Sequence, residues 1–193
     1  MSNVTRGDGL LEGFLAKKRA QKAETLIGQL KKDVILDIGC GSYPYFLINS
    51  NFREKYGVDP SLRNVNIDGI NLKKLNVAKS PLPFKDNFFD AVTMLAVFEH
   101  LDKDKLKFVL GEVRRVLKKN GVFIITTPSP WADRLLHQMA RVGLISSEEI
   151  HEHKHNLSHH TIREFLLEAG FSSKNITNGF FELSFNMWFR SQK

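Results

Sequence analysis

The sequence predicts one α/β domain with a doubly wound, mostly parallel sheet and helices on both of its faces. Three observations predict this class. Short apolar runs alternate with segments of helical periodicity from residue 34 onward, which is typical of a parallel sheet covered on both sides. The first of these runs ends in a glycine-rich turn. The length of 193 residues is that of one domain.

The composition excludes a largely disordered chain and indicates a reducing compartment. Hydrophobic residues make up 42% of the chain and charged residues 25%, as in ordinary globular proteins. The single cysteine, Cys40, cannot form an internal disulfide, so we expect a cytoplasmic protein. The longest nearly apolar run, Ala91 to Phe98, is about half as long as a membrane-spanning helix requires. The sequence therefore predicts no transmembrane segment.

The net charge of +7 is concentrated near the N-terminus. Residues 1–32 carry seven basic and three acidic side chains, so this sixth of the chain holds +4 of the total. Apolar residues recur at helical spacing between residues 10 and 30, which predicts an amphipathic helix. We expect residues 1–33 to pack as this helix on a domain formed by residues 34–193. The basic face of the helix is then either solvated or in peripheral contact with an anionic membrane surface or a partner.

Apolar runs bounded by turn residues predict five strands and, after them, a hairpin. The five strands are Val34–Ile38, Tyr56–Val58, one contained within Ile70–Val77, Asp90–Val97 and Val122–Thr127. Pro128 and Pro130 are expected to end the fifth strand. Two β-like stretches within Lys174–Arg190 lie on either side of Asn178–Gly179, which predicts a C-terminal hairpin that turns there.

Helical periodicity predicts four helices in the same domain. They are Ser42–Asn51, Asp104–Lys118, Trp131–Val142 and Thr161–Ala169. Gly121 is expected to end the second of them in the left-handed conformation that glycine adopts most easily.

The segment from Val34 to Gly41 indicates a cofactor site. A buried strand runs into a loop with glycines at positions 39 and 41, and a helix follows. Gly39 and Gly41 would let a ligand approach the backbone closely, and the helix would offer free N–H groups. Asp59 follows the next strand, where a carboxylate can accept both hydroxyl groups of a ribose. This pattern predicts a nucleotide-like cofactor.

Two residues favour a cationic cofactor over a dinucleotide. A dinucleotide fingerprint has a third glycine at the start of the helix, where this chain has Pro44, which has no N–H to donate. Asp37 stands just before the loop and would repel a diphosphate, but it suits a positively charged ligand. S-adenosylmethionine carries a sulfonium, an ammonium and a ribose but no phosphate, so the electrostatics favour it over NAD. An NAD-dependent Rossmann oxidoreductase is the alternative.

Four segments in order resemble the motifs of the class I S-adenosylmethionine-dependent methyltransferases. They read VILDIGCGSYPYFL, YGVDPS, LPFKDNFFDAVTMLAVFEHL and EVRRVLKKNGVFIITTPSP. The resemblance spans about residues 34–171 and is closest to the group that contains the ubiquinone and menaquinone biosynthesis enzymes. It implies a Rossmann-like, seven-stranded sheet that ends in an antiparallel hairpin, and S-adenosyl-L-methionine as cofactor.

The resemblance also implies which residues bind the cofactor. Asp37 would hold the methionine ammonium group, and Asp59 the ribose hydroxyl groups. The backbone of Gly39, Cys40 and Gly41 would pass close to the cofactor. The remaining implied contacts are made by Pro60 and Ser61 beside the adenine, by Asn76 and Val77 reading the adenine, and by Ala96 and Val97 under the methionine.

Two positions depart from the family pattern. Asn76 stands where the family usually has an acid, although its amide oxygen can still accept from the adenine amino group. Tyr43 stands where a third glycine is common, so its ring would fold over the cofactor or narrow the pocket. These departures keep open a second alternative, a catalytically silent methyltransferase-like subunit that binds a partner.

The acceptor side has fewer signals. His100 follows the fourth strand directly and is either a base for an acceptor that must lose a proton, a residue lining the acceptor site or a structural residue. Five of the seven histidines fall within residues 151–160, but no acid or cysteine completes a ligand set, so we predict no metal site. Residues 128–160 are expected to form an acceptor-side lid.

The acceptor itself is predicted only by class. Leu95–Phe98 stand where base-modifying amino-methyltransferases commonly have a proline–aromatic motif, and there is no room for an RNA-binding module, which argues against nucleic acid. A small-molecule, lipid-like or sugar acceptor is favoured. The sequence leaves open whether oxygen, nitrogen or carbon is methylated, and it does not predict an oligomeric state.

Overall fold

A computed structural model of the chain describes residues 10–62, 67, 69–132 and 157–193. Seven strands in this part of the chain form one sheet. The strands are β1 (Val34–Ile38), β2 (Glu54–Asp59), β3 (Ile70–Lys74), β4 (Phe89–Leu95), β5 (Leu117–Pro128), β6 (Ile176–Phe181) and β7 (Asn186–Gln192). Their order across the sheet is β3-β2-β1-β4-β5-β7-β6.

The pairing of the strands confirms the predicted fold class. β1 pairs in parallel with β2 and β4, β2 with β3, and β4 with β5. β7 is antiparallel to both β5 and β6, so the sheet ends in the expected antiparallel hairpin. The chain moves outward from β1 to β3 and then returns to β4 on the other side of β1. Parallel sheets place their ligands at such a switch point, beside the carboxyl ends of the strands.

Helices cover both faces of the sheet. They are α1 (Leu10–Ile27), α2 (Tyr45–Asn49), α3 (Lys103–Val116) and α4 (His159–Glu168), together with short 3₁₀ helices at Phe98–His100 and Ser173–Asn175. On one face, Ala23 and Ile27 of α1 are buried in a cluster with Ile35 and Ile124 of the sheet. α3 and α4 cover the opposite face.

The face under α3 and α4 holds the larger core. Leu110 of α3 and Leu166 of α4 are fully buried in a cluster with Leu36, Ile125 and Phe189 of the sheet. These strand residues alternate with the ones that face α1, as the two-residue period of a strand requires. The two apolar faces explain why the strand sequences are almost continuously hydrophobic.

Several element boundaries differ from the prediction. α1 ends at Ile27, and Gly28 follows in a left-handed conformation (φ 63°). α2 covers only Tyr45–Asn49 of the predicted Ser42–Asn51. β4 ends at Leu95 because Ala96 has a φ of 54°, so Ala96 and Val97 lie beyond the strand.

The predicted role of Gly121 is wrong. α3 ends at Val116, Leu117 is already extended, and β5 begins at that residue. The left-handed residue of this connection is Asn120, with a φ of 67°. Position 121 instead requires the absence of a side chain, because a Cβ there would lie 2.9 Å from the carbonyl oxygen of Lys118 and 3.1 Å from that of Asp90.

The predicted position of the hairpin turn is also wrong. Asn178 and Gly179 lie inside β6, and the turn is formed by residues 182–185. Gly179 pairs with Trp188 across the hairpin, and a Cβ on Gly179 would lie 2.9 Å from the indole ring. The glycine therefore makes room for Trp188.

Part of the acceptor side lies outside the described residues. This holds for the predicted helix Trp131–Val142 beyond Ala132, for residues 151–155 of the histidine segment and for most of the lid expected over residues 128–160. Within the described ranges, no helix has the length and apolar character needed to span a membrane.

Candidate functional site

A cavity of about 230 Å³ lies where β1 and β2 end, at the carboxyl edge of the sheet. Seven of the predicted site residues line it: Gly39, Asp59, Pro60, Asn76, Val77, Val97 and His100. The edge is the one that the switch point between β1 and β4 predicts. The other predicted residues lie around or behind this cavity.

The glycine loop forms one wall of the cavity. Gly39 and Gly41 both have left-handed backbone conformations, with φ of 76° and 70°. The N–H of Gly39 donates to the carbonyl oxygen of Val58 over 2.8 Å, which holds the loop against the end of β2. A Cβ on Gly39 would lie 2.2 Å from Cγ2 of Val97, so only glycine fits this position.

Asp59 connects the glycine loop to the segment after β2. Its side chain is fully buried, and Oδ2 accepts a hydrogen bond of 3.0 Å from the N–H of Gly41. Oδ1 accepts from the N–H of Ser61 over 2.7 Å and from its hydroxyl over 2.5 Å. The arrangement therefore provides a fixed carboxylate at the cavity wall.

Asp37 lies behind the glycine loop rather than in the cavity wall. It is buried, and the hydroxyl of Thr93 donates to its Oδ1 over 2.7 Å. Burial raises the pKa of Asp37 to about 7, and the nearby charge of Asp59 adds to the increase. The hydrogen bond from Thr93 lowers this pKa but does not cancel the effect of burial. The carboxyl group is thus poised to ionise when a cation arrives beside it.

Cys40 is a buried residue of the loop without nucleophilic character. Its thiol donates to the carbonyl oxygen of Gly41 over 3.7 Å. Burial raises the pKa of this thiol far above its ordinary value, and the charges of Asp37 and Asp59 raise it further. Cys40 therefore stays protonated and packs as a small apolar side chain.

Tyr43 is half-buried at the start of α2 and is not part of the cavity wall. Its carbonyl oxygen accepts from the N–H of Tyr45 over 2.8 Å, so its backbone helps to begin the helix. Pro44 is the N-cap residue and provides no side-chain cap.

Asn76 and Val77 follow β3 and form the opposite wall. The side-chain Oδ1 of Asn76 accepts from the N–H of Ala78 over 3.0 Å, and its backbone oxygen accepts from the N–H of Lys79 over 3.0 Å. Asn76 thus shapes the turn with the same amide oxygen that was expected to face the ligand. Val77 is buried beside it and presents an apolar surface to the cavity.

The segment after β4 forms the third wall. Val97 and His100 line the cavity, and the N–H of His100 donates to the carbonyl oxygen of Val97 over 3.0 Å. Ala96 is not in the wall, and its N–H donates to the carbonyl oxygen of Thr126 over 2.9 Å. Glu99 is buried on another side, where it accepts from the hydroxyl of Thr127 over 3.0 Å.

Sequence reasoning missed half of the cavity wall. The additional lining residues are Ile38, Val58, Leu75, Ala78, Lys79, Leu101 and Asp102. Ile38 and Val58 could have been found, because each is at the carboxyl end of a predicted strand. Lys79 and Asp102 are ordinary surface residue types in loops, and nothing in their local pattern indicates a site.

The described histidines of the 151–160 segment do not form a metal centre. Nε2 of His159 lies 3.2 Å from the carbonyl oxygen of Gly179, and its ring packs edge-on against Phe180. Nδ1 of His160 lies 3.3 Å from Oε2 of Glu164. Ser158 rather than a histidine caps α4. In the ranges that the structure describes, no three or more His, Cys, Asp or Glu side chains are grouped to hold a metal ion.

Comparison with known proteins identifies the domain type. Residues 36–125 match the methyltransferase domain family. An uncharacterized protein of Methanocaldococcus jannaschii is 36% identical over 96 residues, which are 49% of this chain and 41% of that protein. The chain therefore spans about two fifths of the length of this relative.

Solved structures share the fold across almost the whole chain. A SAM dependent methyltransferase from Archaeoglobus fulgidus superposes with a TM-score of 0.69 at 18% identity, covering 93% of this chain and 94% of the other. An S-adenosylmethionine dependent methyltransferase from Mesorhizobium loti superposes with a TM-score of 0.69 at 17% identity, covering 93% of this chain and 100% of the other. At these identities the similarity establishes a common fold.

Proposed function

We propose that the chain, whose residues 36–125 match the methyltransferase domain family and whose fold is shared with S-adenosylmethionine-dependent methyltransferases, belongs to the class I enzymes of that type and methylates a small-molecule, lipid-like or sugar acceptor. The observation that carries the proposed use of S-adenosylmethionine is the pair of buried acids around one glycine loop. Asp59 is bonded to the N–H of Gly41 at the cavity wall, and Asp37 lies behind the loop with a raised pKa. This combination suits a ligand that has both a ribose and a positive charge.

The residues at the carboxyl edge fit S-adenosylmethionine better than a dinucleotide. The cavity of about 230 Å³ is smaller than the roughly 300–1,000 Å³ of most ligand clefts, which favours the smaller of the two cofactors, S-adenosylmethionine. Asp37, next to the glycine loop, would repel a diphosphate. Pro44 at the N-cap of α2 removes an N–H that a pyrophosphate would use.

Asp59 is the proposed ribose contact. The hydroxyl of Ser61 donates to its carboxylate, and Ser61 is exposed, so a ribose hydroxyl group can take the place of this donor. Pro60 and Ser61 are proposed to lie beside the adenine, with Asn76 and Val77 reading it from the opposite wall. Pro60, Asn76 and Val77 line the cavity, which supports this assignment.

The methionine end is proposed to lie along the glycine loop. The backbone of Gly39, Cys40 and Gly41 would pass close to it, and Asp37 would hold the ammonium group directly or through a water molecule. A cation there offsets the unfavourable ionisation of a buried carboxyl group. Ala96 and Val97 are the proposed floor, although only Val97 lines the cavity.

The chemistry requires little of the protein beyond alignment. Bound S-adenosylmethionine supplies an electrophilic methyl group on a good leaving group. The chain contributes proximity and orientation, which can supply most of the acceleration of an in-line displacement. His100 is the proposed base for acceptors that must lose a proton, because it lines the cavity just after β4.

The setting of the reaction is proposed from the same residues. Cys40 is the single cysteine and is buried, which suits a reducing, cytoplasmic location. Leu95–Phe98 lack the motif of base-modifying enzymes, so we propose an acceptor other than nucleic acid.

Calorimetric titration with S-adenosylhomocysteine and with NAD tests the proposed cofactor. We expect the native chain to bind S-adenosylhomocysteine, Asp59→Ala to bind about tenfold or more weakly, and Asp104→Ala to bind normally, because Asp104 is exposed on α3. Asp59→Asn keeps the size of the side chain. Thermal melting of this variant shows whether it is folded, so that a loss of binding can be distinguished from a loss of folding. Binding of NAD alone would contradict the proposal. Binding of neither ligand at millimolar concentration would favour the silent subunit.

Substitution of His100 tests its role separately. With methyl-labelled S-adenosylmethionine and cell metabolite or lipid extracts as acceptor source, we expect His100→Ala to lose transfer while its affinity for S-adenosylhomocysteine stays within about twofold of native. His100→Gln keeps a hydrogen-bonding side chain but cannot act as a base. A native rate in either variant would exclude His100 as the base.

A further inference from the structure

Two contacts join the first helix to the last strand and show that the two elements run in the same direction. Nζ of Lys22 lies 4.7 Å from the ring centroid of Trp188, and Nε of Arg190 donates to the carbonyl oxygen of Leu26 over 3.0 Å. Four helical residues advance about 6 Å and two strand residues about 7 Å, so the two elements stay in step.

This register can be followed back toward the start of α1. Continued back toward the start of α1 at the same spacing, this register would bring Lys18 level with Asn186 and Phe14 level with the β6–β7 turn at residues 182–185. Asn186 pairs with Pro128, the last residue of β5. The start of α1 would then lie beside the hairpin turn at the carboxyl edge of the sheet, the edge that holds the cavity.

The β6–β7 turn presents a leucine to solvent in a fixed position. Glu182, Leu183 and Ser184 have φ of 52°, 53° and 68°, an arrangement that non-glycine residues rarely adopt. Leu183 is 90% exposed. The turn is held by hydrogen bonds from the N–H of Phe185 to the oxygen of Glu182 and from Nε1 of Trp131 to the oxygen of Ser184, each 2.9 Å. Strain at an exposed apolar residue is more typical of a contact surface than of a simple connection.

Exposed apolar and basic side chains lie on the two elements that this register brings to the edge. We name Phe14, Lys17, Lys18, Trp131 and Leu183 the edge patch. Its ring side chains are 53% exposed at Phe14 and 39% exposed at Trp131, and both lysines are exposed. Residues 13–22 carry four basic side chains and no acidic one.

We propose that the edge patch docks the protein on an anionic lipid bilayer. Leu183 and Phe14 would enter the boundary between headgroups and acyl chains, and Trp131 would lie at headgroup level, where tryptophan is favoured. Lys17 and Lys18 would contact lipid phosphates. The fully exposed aliphatic side chain of Leu183 favours a bilayer over nucleic acid, which would instead use a stacking platform or a basic groove.

Docking in this way turns the cavity edge toward the membrane. Because the cavity and the edge patch share the carboxyl edge, an acceptor dissolved in the bilayer could reach the site without crossing bulk water. The docking itself does not depend on methyl transfer, so it can be tested without a cofactor or an acceptor.

Sedimentation of the full chain with vesicles tests the proposal. We expect binding to phosphatidylcholine vesicles with about 30% phosphatidylglycerol, and binding about tenfold weaker to phosphatidylcholine alone. Leu183→Asp and the double variant Phe14→Ala/Lys18→Glu should each reduce binding about tenfold. The matched control is Phe108→Ala/Lys107→Glu, which removes an exposed ring and reverses a lysine on α3, at the opposite face of the sheet.

A fluorescence measurement follows the same surface directly. The chain has two tryptophans, so Trp131 is the single one in Trp188→Phe. We expect its emission to shift to shorter wavelength with anionic vesicles and to stay unchanged with neutral ones. Thermal melting of every variant shows whether it is folded.

Four results would overturn the proposal. Two come from sedimentation: no binding at about 1 mM anionic lipid, or an equal loss of vesicle binding in the control and the edge-patch variants. The other two are an unchanged emission of Trp131, and binding to nucleic acid but not to vesicles that the edge-patch variants abolish. Affinity for S-adenosylhomocysteine should be native in Leu183→Asp. Failure of vesicle binding and failure of cofactor binding are therefore distinguishable.

Discussion

The hydroxyl group of Thr93 donates a hydrogen bond of 2.7 Å to Oδ1 of Asp37, across the paired strands β4 and β1. Both residues are buried. This bond does not compensate for the lost hydration of the carboxylate, because the pKa of Asp37 is still raised to about 7. The folded chain therefore holds a carboxyl group that is partly protonated at neutral pH and that destabilises the fold when it ionises.

Asp37→Asn is expected to stabilise the fold at about pH 8 and to change little near pH 4. The pKa of Asp37 rises from an ordinary 3.8 to about 7 on folding. Between these values the folded state holds a proton that the unfolded state has lost, so the free energy of unfolding falls as the pH rises. The free energy of unfolding of the variant does not fall in this way. We therefore expect it to exceed that of the native chain by about 2 kcal/mol at alkaline pH. Urea unfolding at several pH values measures the difference.

The matched control for this effect is Asp104→Asn. Asp104 is exposed, and its pKa is lowered by the hydrogen bond from Lys105. We therefore expect Asp104→Asn not to raise the free energy of unfolding at alkaline pH. A stability difference between Asp37→Asn and the native chain that does not vary with pH would contradict the assignment of the raised pKa to Asp37.

Binding of S-adenosylhomocysteine at about pH 7 is expected to release about half a proton from Asp37. This prediction rests on the proposed role of Asp37 toward the ammonium group. A cation beside a half-protonated carboxyl group lowers its pKa and favours its ionised form. Calorimetry in two buffers of different ionisation enthalpy measures the exchange, and Asp37→Asn should abolish this contribution. Net proton uptake by the native chain would count against the assignment.

Gly39→Ala is expected to lower the free energy of unfolding by about 3 kcal/mol. Its Cβ would lie 2.2 Å from Cγ2 of Val97, and the φ of 76° at Gly39 is unfavourable for alanine. Val97→Ala alone should lower the free energy of unfolding by about 1 kcal/mol. The double variant lacks the methyl groups of Val97 that the new Cβ would contact. The loss of unfolding free energy in the double variant should therefore be smaller than the sum of the losses in the two single variants. Urea unfolding of the four proteins measures the coupling, and additive losses would exclude the contact.

The fold was predictable where local pattern and tertiary pairing agree. β1 and β4 are apolar runs with turn residues on both sides, and the structure places them at the centre of the sheet. The hairpin turn was not predictable, since Asn178–Gly179 is a favourable turn sequence. Gly179 instead faces Trp188, and that need arises only when β6 and β7 pair.

The cavity wall was predictable only at the strand ends. Gly39 and Asp59 directly follow apolar runs, so their place at the carboxyl edge follows from the order of the chain. Lys79 and Asp102 reach the same cavity through turns whose course depends on tertiary contacts. The contacts of Arg115, which lies inside one of the four motifs but outside the cavity wall, also depend on tertiary structure and were not predicted.

Arg115→Lys is expected to destabilise the fold by about 2 kcal/mol. The guanidinium group donates to both carboxylate oxygens of Glu112, to Oδ1 of Asp86 and to the carbonyl oxygens of Leu82 and Phe84, over 2.7–2.9 Å. These bonds hold the segment before β4 against α3, and the pairing with Glu112 raises the pKa of Arg115 above its already high value. A lysine ammonium is a single point donor and cannot satisfy two carbonyls and two carboxylates at once.

Arg114→Lys is the matched control for Arg115, because the neighbouring Nε of Arg114 donates to the carbonyl oxygen of Gly170 over 3.0 Å at an exposed site. We expect this control to change the free energy of unfolding by no more than about 0.5 kcal/mol. Urea unfolding compares the two variants, and limited proteolysis between Leu82 and Asp86 reports whether the segment detaches. If Arg115→Lys were as stable and as resistant to protease as Arg114→Lys, the guanidinium group would not be what joins this motif to α3.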